Sequence, residues 1–379
     1  MSEPASSPQG ASSGGGAHPN RDQVLFQITA GTIDSVLKWT RQALGWATLL
    51  YVAGFLLFLF GMEWWGERFW LFCVLLYAPI QTSLLPLVVL TPLCLLFRWR
   101  LVFWHLAAAF VLIFVYMTFR WSSVPSPNGS ELRAVTFNFG ESNRPQFMSF
   151  LDAVKPDIIL IQDAKGRGAD LGRKIPGMYF SDLDQFAFLS KFPIQKAELV
   201  GGAKIHGEPV AARYEIQYQG RTIAIYSVHL PTPRQQLSRF LGGRHILGDL
   251  AGHGHREAGY GDFRDWVRER MSLAGALAKV LAEEKEPMIV GGDFNTPDHG
   301  YIYHIFAGEM TDCFARVGRG WGLTFPGYTH NPISFFGPWL RIDYFFTGKG
   351  WRVTECRPEP GSKSQHKAVF ARFAPIPMS

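Results

Sequence analysis

At 379 residues the chain is long enough for two domains and a large core, and four cysteines are too few for a disulfide-stapled scaffold. Its formal charge of +6 comes from 37 Lys+Arg against 31 Asp+Glu, of which residues 1–120 hold 7 and 5, leaving only a mild basic excess beyond them. That excess suits an anionic substrate but forms no basic stripe of the kind that grips DNA.

Residues 1–41 form a polar N-terminal segment, Ser/Gly/Pro-rich and expected to be disordered over its first half. Apolar runs follow near 42–62, 78–97 and 101–119, each close to the roughly 20 residues that a helix needs to cross a bilayer. Such long runs, almost free of charge, do not fit a buried helical core, so three transmembrane helices are expected. The Trp/Phe-rich stretch from Phe69 reads as an interfacial segment before the second span. Lys38, Arg41, Arg98 and Arg100 lie on one side of this arrangement. Glu63, Glu67 and only Arg68 lie on the other. The positive-inside rule then puts the N-terminus in the cytoplasm and everything after Phe119 outside, as in a multi-pass plasma-membrane or bacterial inner-membrane protein. The first span starts too far from Met1 for a cleaved signal peptide. Residues 121–130 form a Ser/Pro linker too short to let the domain that follows, 131–379, travel far from the bilayer.

That domain has the composition of an α/β protein. Arg133–Phe139 reads as a strand carrying Asn138, and Pro145–Val154 as a helix with Phe147, Phe150, Leu151 and Val154 on one face. Asp157–Gln162 is an apolar strand ending at Asp163, and Phe186–Lys191 is another. Ala212–Gln219 and Arg221–Leu230 read as a hairpin turning at Gln219-Gly220 and delivering His229. Phe263–Glu283 is a long helix with Val267, Ala274, Leu277 and Leu281 inward. Strands at Arg341–Thr347, with Asp343, and Lys367–Phe373, preceded by His366, complete the set. Thr232–Gly261 has no periodicity and reads as a long loop carrying Arg234, Arg239, Arg244 and Arg256; its His253-Gly254-His255 lacks a third metal ligand. Cys313 and Cys356, without C-x-x-C spacing or a histidine cluster, argue against zinc; they are either free thiols or a disulfide.

The richest motif is Met288-Ile289-Val290-Gly291-Gly292-Asp293-Phe294-Asn295-Thr296-Pro297. Asp293 and Asn295, two residues apart on an extended chain, point to one side at a strand end, as needed to hold and activate a water beside a phosphate. The same residues also fit an ordinary turn capping a helix at Thr296-Pro297. Asp343 likewise reads either as a site residue or as the partner of Arg341 on the surface.

Asn138, Asp163, His229, Asp293, Asn295, Asp343 and His366 in this order resemble the endonuclease/exonuclease/phosphatase family. The resemblance rests on Val135–Asn138, Pro156–Asp163, Phe188–Ile194, Ser227–Leu230, Gly291–Pro297, Arg341–Tyr344 and Ser364–His366, and with three helices ahead it is closest to a membrane-anchored bacterial branch. It implies a four-layer α/β sandwich, two mixed β-sheets face to face with helices outside, and Mg²⁺- or Mn²⁺-assisted hydrolysis of a phosphate ester. By the same resemblance Asp163 and Asn138 bind the metal, Asp293 takes a proton from water, and Asn295 orients that water or the phosphate. His366, oriented by Asp343, stabilises charge on phosphorus, and His229 bonds a phosphate oxygen. Two positions depart from the pattern: Asp163 replaces a glutamate, and Gln365 replaces the aspartate of Ser-Asp-His. Fewer anionic ligands weaken a divalent-metal site, with Glu141 the one nearby carboxylate to compensate. The expected function is a membrane-tethered phosphoesterase acting on a nucleic acid or a phospholipid headgroup. The alternative is a catalytically weakened or inactive binding scaffold of the same fold.

Overall fold

A computed structural model describes residues 21–117, 119–122, 131–140, 144–201, 204–205, 208–234, 236–237, 263–327, 337–361 and 363–376. Glu141, Arg239, Arg244, Arg256, His253 and His255 lie outside them. Three helices are long and apolar enough to cross a membrane, Gly31–Trp64, Ile80–Phe97 and Trp99–Tyr116. The chain divides into two compact units. One comprises residues 1–52 and 86–106. Within it His105 bridges Thr48 and Thr91 at 3.1 Å each, the kind of polar contact that fastens apolar helices to one another.

The second unit, residues 53–85 and 107–379, contains two six-stranded sheets. The strands of these two sheets are β1 Leu132–Asn138, β2 Ile158–Gln162, β3 Tyr179–Leu183, β4 Phe186–Ser190, β5 Ile194–Leu199, β6 Ala211–Tyr218, β7 Arg221–His229, β8 Met288–Asp293, β9 Thr311–Asp312, β10 Asp343–Thr347, β11 Trp351–Pro358 and β12 Val369–Pro375. One sheet has the order β11-β12-β1-β2-β4-β3, the other β9-β10-β8-β7-β6-β5. Each contains one parallel pair, β1–β2 and β7–β8, among antiparallel ones, so both are mixed. Ile158, Leu160 and Phe188 of the first sheet pack against Tyr214, Ile225, Ile289 and Phe345 of the second. The outer face of the first meets Phe147, Phe150, Leu151 and Val154 of the helix Arg144–Val154. That of the second meets Leu273, Ala274, Leu277 and Leu281 of the helix Phe263–Ala282. The result is a four-layer α/β sandwich. Because both faces of the central strands are covered, β2 and β4 are buried at every position and apolar at all but the last, Gln162 and Ser190, rather than alternating. Each buried Leu or Phe side chain contributes roughly 2 kcal/mol of apolar transfer.

The Gln219-Gly220 turn forms as expected, with φ 52° and 75° at its two residues. The edge strands β3, β5 and β11 and the helix Tyr301–Glu309 are additions to the sequence reading. The four cysteines are free thiols; Cys313 and Cys356 are both buried between the sheets, and no disulfide joins them. The aromatic stretch expected at the membrane interface has its own packing: Cys73 is buried beside Phe263, Trp266 and Val267.

Candidate active site

Strand register assembles the site. Asp293 on β8 pairs with Asp343 on β10 and with His229 on β7, so three polar residues stand abreast at adjacent strand ends. In the facing sheet Asn138 ends β1 opposite Gln162 on β2, one residue before Asp163. The close approach of β7 and β8 requires Gly292, since a Cβ there would lie 1.9 Å from the Val228 carbonyl oxygen.

Asp293 is fully buried and held from several directions. Its Oδ1 accepts from the Asn295 amide at 2.8 Å, and its Oδ2 accepts from Asn138 Nδ2 at 2.8 Å and Asn295 Nδ2 at 3.1 Å. Asn295 does not continue the strand. It lies at φ 49°, and a left-handed turn, not an extended chain, brings its side chain back onto Asp293. The helix-cap alternative at Thr296-Pro297 is not realised, since the next helix begins at Tyr301.

His366 Nδ1 donates to Asp343 Oδ1 and Oδ2 at 3.1 Å each, while Nε2 faces Asp293 Oδ2 at 3.7 Å. Burial alone would lower its pKa, but the carboxylates of Asp343 and Asp293 outweigh burial and push it up to about 9. Burial also raises Asp293, aided by Asp343 and opposed by the two histidines. His229 Nδ1 donates to Gln185 Oε1 at 2.5 Å, with Nε2 3.8 Å from Asp293 Oδ2, and burial lowers its pKa. Arg341 pairs with Asp312 and Asp298 at 2.7 and 3.1 Å, so Asp343 belongs to His366 and not to Arg341.

Asp163, at φ 53°, lies opposite Asn138 across Gly140. A Cβ on Gly140 would sit 2.6 Å from Asp163 Oδ2 and 3.3 Å from Asn138 Oδ1, so both oxygens border one small space. A carboxylate and an amide oxygen suit a hard divalent cation that keeps most of its waters. Asp293, Asp343 and His366 also have ligand-type atoms within 4.8 Å of one another. A protonated imidazole has no lone pair for a metal, so the Asp163–Asn138 side fits a cation better. Two cations of the chain border the cavity. Lys165 Nζ is 2.9 Å from Asp163 Oδ1, and Arg234 Nη2 donates to Gln365 Oε1 at 2.8 Å.

Six of the seven expected residues, all but Asp343 behind His366, line one cavity of about 600 Å³. Tyr77, Leu237, Phe325, Trp339, Leu340 and Ile342 give it an apolar wall. Sequence reading missed Gln185, Lys165 and Tyr77. It also missed Arg270, although a charge within the inward stripe of Val267, Ala274 and Leu277 was the signal for it.

Residues 135–366 match the sequence model of the Endonuclease/Exonuclease/phosphatase family. The chain belongs to this family. Its members are phosphatases and nucleases that depend on divalent metals, and this chain is a hydrolase of phosphate ester bonds. Solved structures similar to it include the human Nocturnin catalytic domain with bound sulfate, at 16% identity over 65% of this chain and 95% of that one, TM-score 0.45. The 3′ phosphatase NExo from Neisseria bound to product DNA hairpin is 14% identical over 64% of this chain and 99% of that one, TM-score 0.45. The Bacteroides thetaiotaomicron mannosyl-6-phosphatase Bt3783 is 16% identical over 64% and 99%, TM-score 0.43. No curated protein sequence matches the chain.

Proposed function

We propose that the protein is a membrane-anchored, divalent-metal-dependent phosphoesterase whose substrate is a phospholipid headgroup, with its catalytic domain outside the cytoplasm. The observation that carries the reading is the cavity itself: a buried Asp293–His366 floor, backed by Asp343, beside the apolar wall of Tyr77, Phe325, Trp339 and Leu340. An apolar wall fits the body of an amphiphile better than the backbone of a duplex, and the cations that border it are only Lys165 and Arg234 among the described residues. Tyr77 precedes the span Ile80–Phe97 by three residues, about 10 Å of chain at most, which keeps the cavity near a bilayer surface. The segment between the first two spans contacts the catalytic domain, for instance through Glu67 and Thr296. If each helix crosses once, both lie on the same side, and the charge bias of Lys38, Arg41, Arg98 and Arg100 makes that side the outside.

In this reading Asp163 and Asn138 Oδ1 would hold Mg²⁺ or Mn²⁺, which would supply charge neutralisation at the phosphoryl oxygens. Asp293, its pKa raised by burial, takes a proton from the attacking water; one lone pair of Oδ1 is left after the Asn295 bond. Asn295 and Asn138 fix that carboxylate. His366 remains protonated at neutral pH through Asp343 and offers Nε2–H to charge growing on the phosphorus oxygens. His229, held by Gln185, presents Nε2 from the opposite side.

The test is turnover by the full-length protein in lipid nanodiscs with Mn²⁺, offered in parallel sphingomyelin, phosphoinositides, duplex DNA and single-stranded DNA. The lipid arms are expected to turn over and the DNA arms not. The scaffold reading draws on Lys165 at Asp163 and on Gln365. It predicts metal-independent ligand binding and no turnover in any arm.

A further inference from the structure

The segment between the first two apolar helices reaches into the site. The Tyr77 hydroxyl donates to the Asn295 carbonyl at 3.0 Å and accepts from Arg270 Nη1 at 2.7 Å. Arg270, 1% exposed, donates through Nη2 to the carbonyls of Phe294, at 3.3 Å, and Asn295. Its guanidinium lies 6.0 and 5.5 Å from the ring centroids of Tyr77 and Trp266. Glu67, 2% exposed, accepts from the Thr296 hydroxyl at 2.9 Å and the Tyr301 amide at 2.5 Å. Phe294, Asn295 and Thr296 are therefore gripped by side chains other than those of the Asp293–His366–Asp343 group.

Asn295 needs that grip. Its φ of 49° is sparsely populated for residues with a side chain and persists only where surroundings over-determine it. Its backbone N–H and one side-chain N–H go to Asp293, and the side chain also donates to the Leu230 carbonyl at 2.9 Å, so its conformation bears directly on the carboxylate's. A buried guanidinium is costly to desolvate, and here it is spent on two carbonyls and a phenol at this turn.

We propose that Tyr77, Arg270 and Glu67 are positioning residues, through which the loop between the first two apolar helices holds Asn295, and with it Asp293, in working geometry. The active site is then complete only in a chain that carries its membrane segment. The kinetic consequence rests on the phosphoesterase reading; the structural one does not.

Full-length protein in nanodiscs tests this with two readouts. These are hydrogen exchange of residues 288–297, and kcat and KM for bis-p-nitrophenyl phosphate with Mn²⁺. Tyr77→Phe is expected to speed exchange at the Asn295 amide about tenfold and to lower kcat about tenfold, with KM within about twofold. Glu67→Gln, which keeps an acceptor for one of its two bonds, is expected to give a smaller change of the same kind. Cys73→Ala, on the same segment but away from the turn, is expected to lower Tm and leave kcat unchanged. The proposal is overturned if exchange in Tyr77→Phe matches wild type, or if kcat follows Tm alike in all three variants. Faster exchange with unchanged kcat also overturns it. A wild-type protein that hydrolyses nothing defeats the phosphoesterase reading, while exchange still decides whether the clamp exists.

Discussion

On the dyad side of the cavity, Asp293, Asp343 and His366 are 0%, 2% and 7% exposed, and each charge faces an opposite one within 4 Å. On the metal side, the Asp163 side chain is 23% exposed and its partner Lys165 73%. Burial makes the first half stiff in both geometry and protonation, because an uncompensated charge there costs several kcal/mol. Solvent screens the second half, so a change of ligand or the arrival of a cation is tolerated there. Of the two departures from the family pattern, Asp163 falls in the tolerant half, whereas Gln365 is 9% exposed and directly precedes His366 in the chain.

If that contrast is right, substitutions on the dyad side have the largest effects. His366→Ala is expected to lower kcat about 1000-fold, measured in full-length protein at saturating Mn²⁺. Asp343→Asn is expected to cost about 100-fold and to move the alkaline limb of the pH–rate profile down from about 9 toward 6.5, because the first carboxylate holding the proton on His366 is gone. The same ionisation appears in stability. His366 binds its proton more tightly folded than unfolded, so its contribution is fully present below pH 6.5 and is lost as pH rises through about 9. Thermal melts of wild type and Asp343→Asn across that window test the sign, and a wild type gaining stability there refutes it.

At the two exposed cations, Arg234 and Lys165, effects shrink. Arg234→Ala is expected to raise KM and the inhibition constant for inorganic phosphate about fivefold with kcat nearly unchanged, since this cation meets the substrate at the cavity rim. Lys165→Gln is expected to tighten Mn²⁺ binding about threefold by electron paramagnetic resonance titration, since an exposed ammonium competes only weakly for Asp163. A loss of Mn²⁺ affinity in Lys165→Gln would reverse the assignment of that carboxylate.

The seven candidate site residues stood out in the sequence largely because strand ends carry polar residues out of apolar runs, and β1, β2, β7, β8 and β10 are such runs. Asp343 was separable from Arg341 only in three dimensions, because the choice depends on Asp312 and Asp298, remote in sequence from Asp343. Edge strands such as β3 and β5 are half-exposed and lack the apolar run that marked the centre. Tyr77 and Glu67 were illegible for another reason. They sit in a stretch whose hydrophobicity reads as membrane interface, and their partners Asn295 and Thr296 lie more than 200 residues away.

The most direct measurement is Mn²⁺-dependent turnover of a phospholipid phosphodiester in nanodiscs by full-length wild type beside Asp293→Asn. The account predicts turnover by wild type, abolished by chelation, and a fall of about 1000-fold or more in the variant, with its fold intact by circular dichroism. Activity that survives in Asp293→Asn would contradict it, as would a wild type that leaves every phosphate ester untouched while Mn²⁺ is bound.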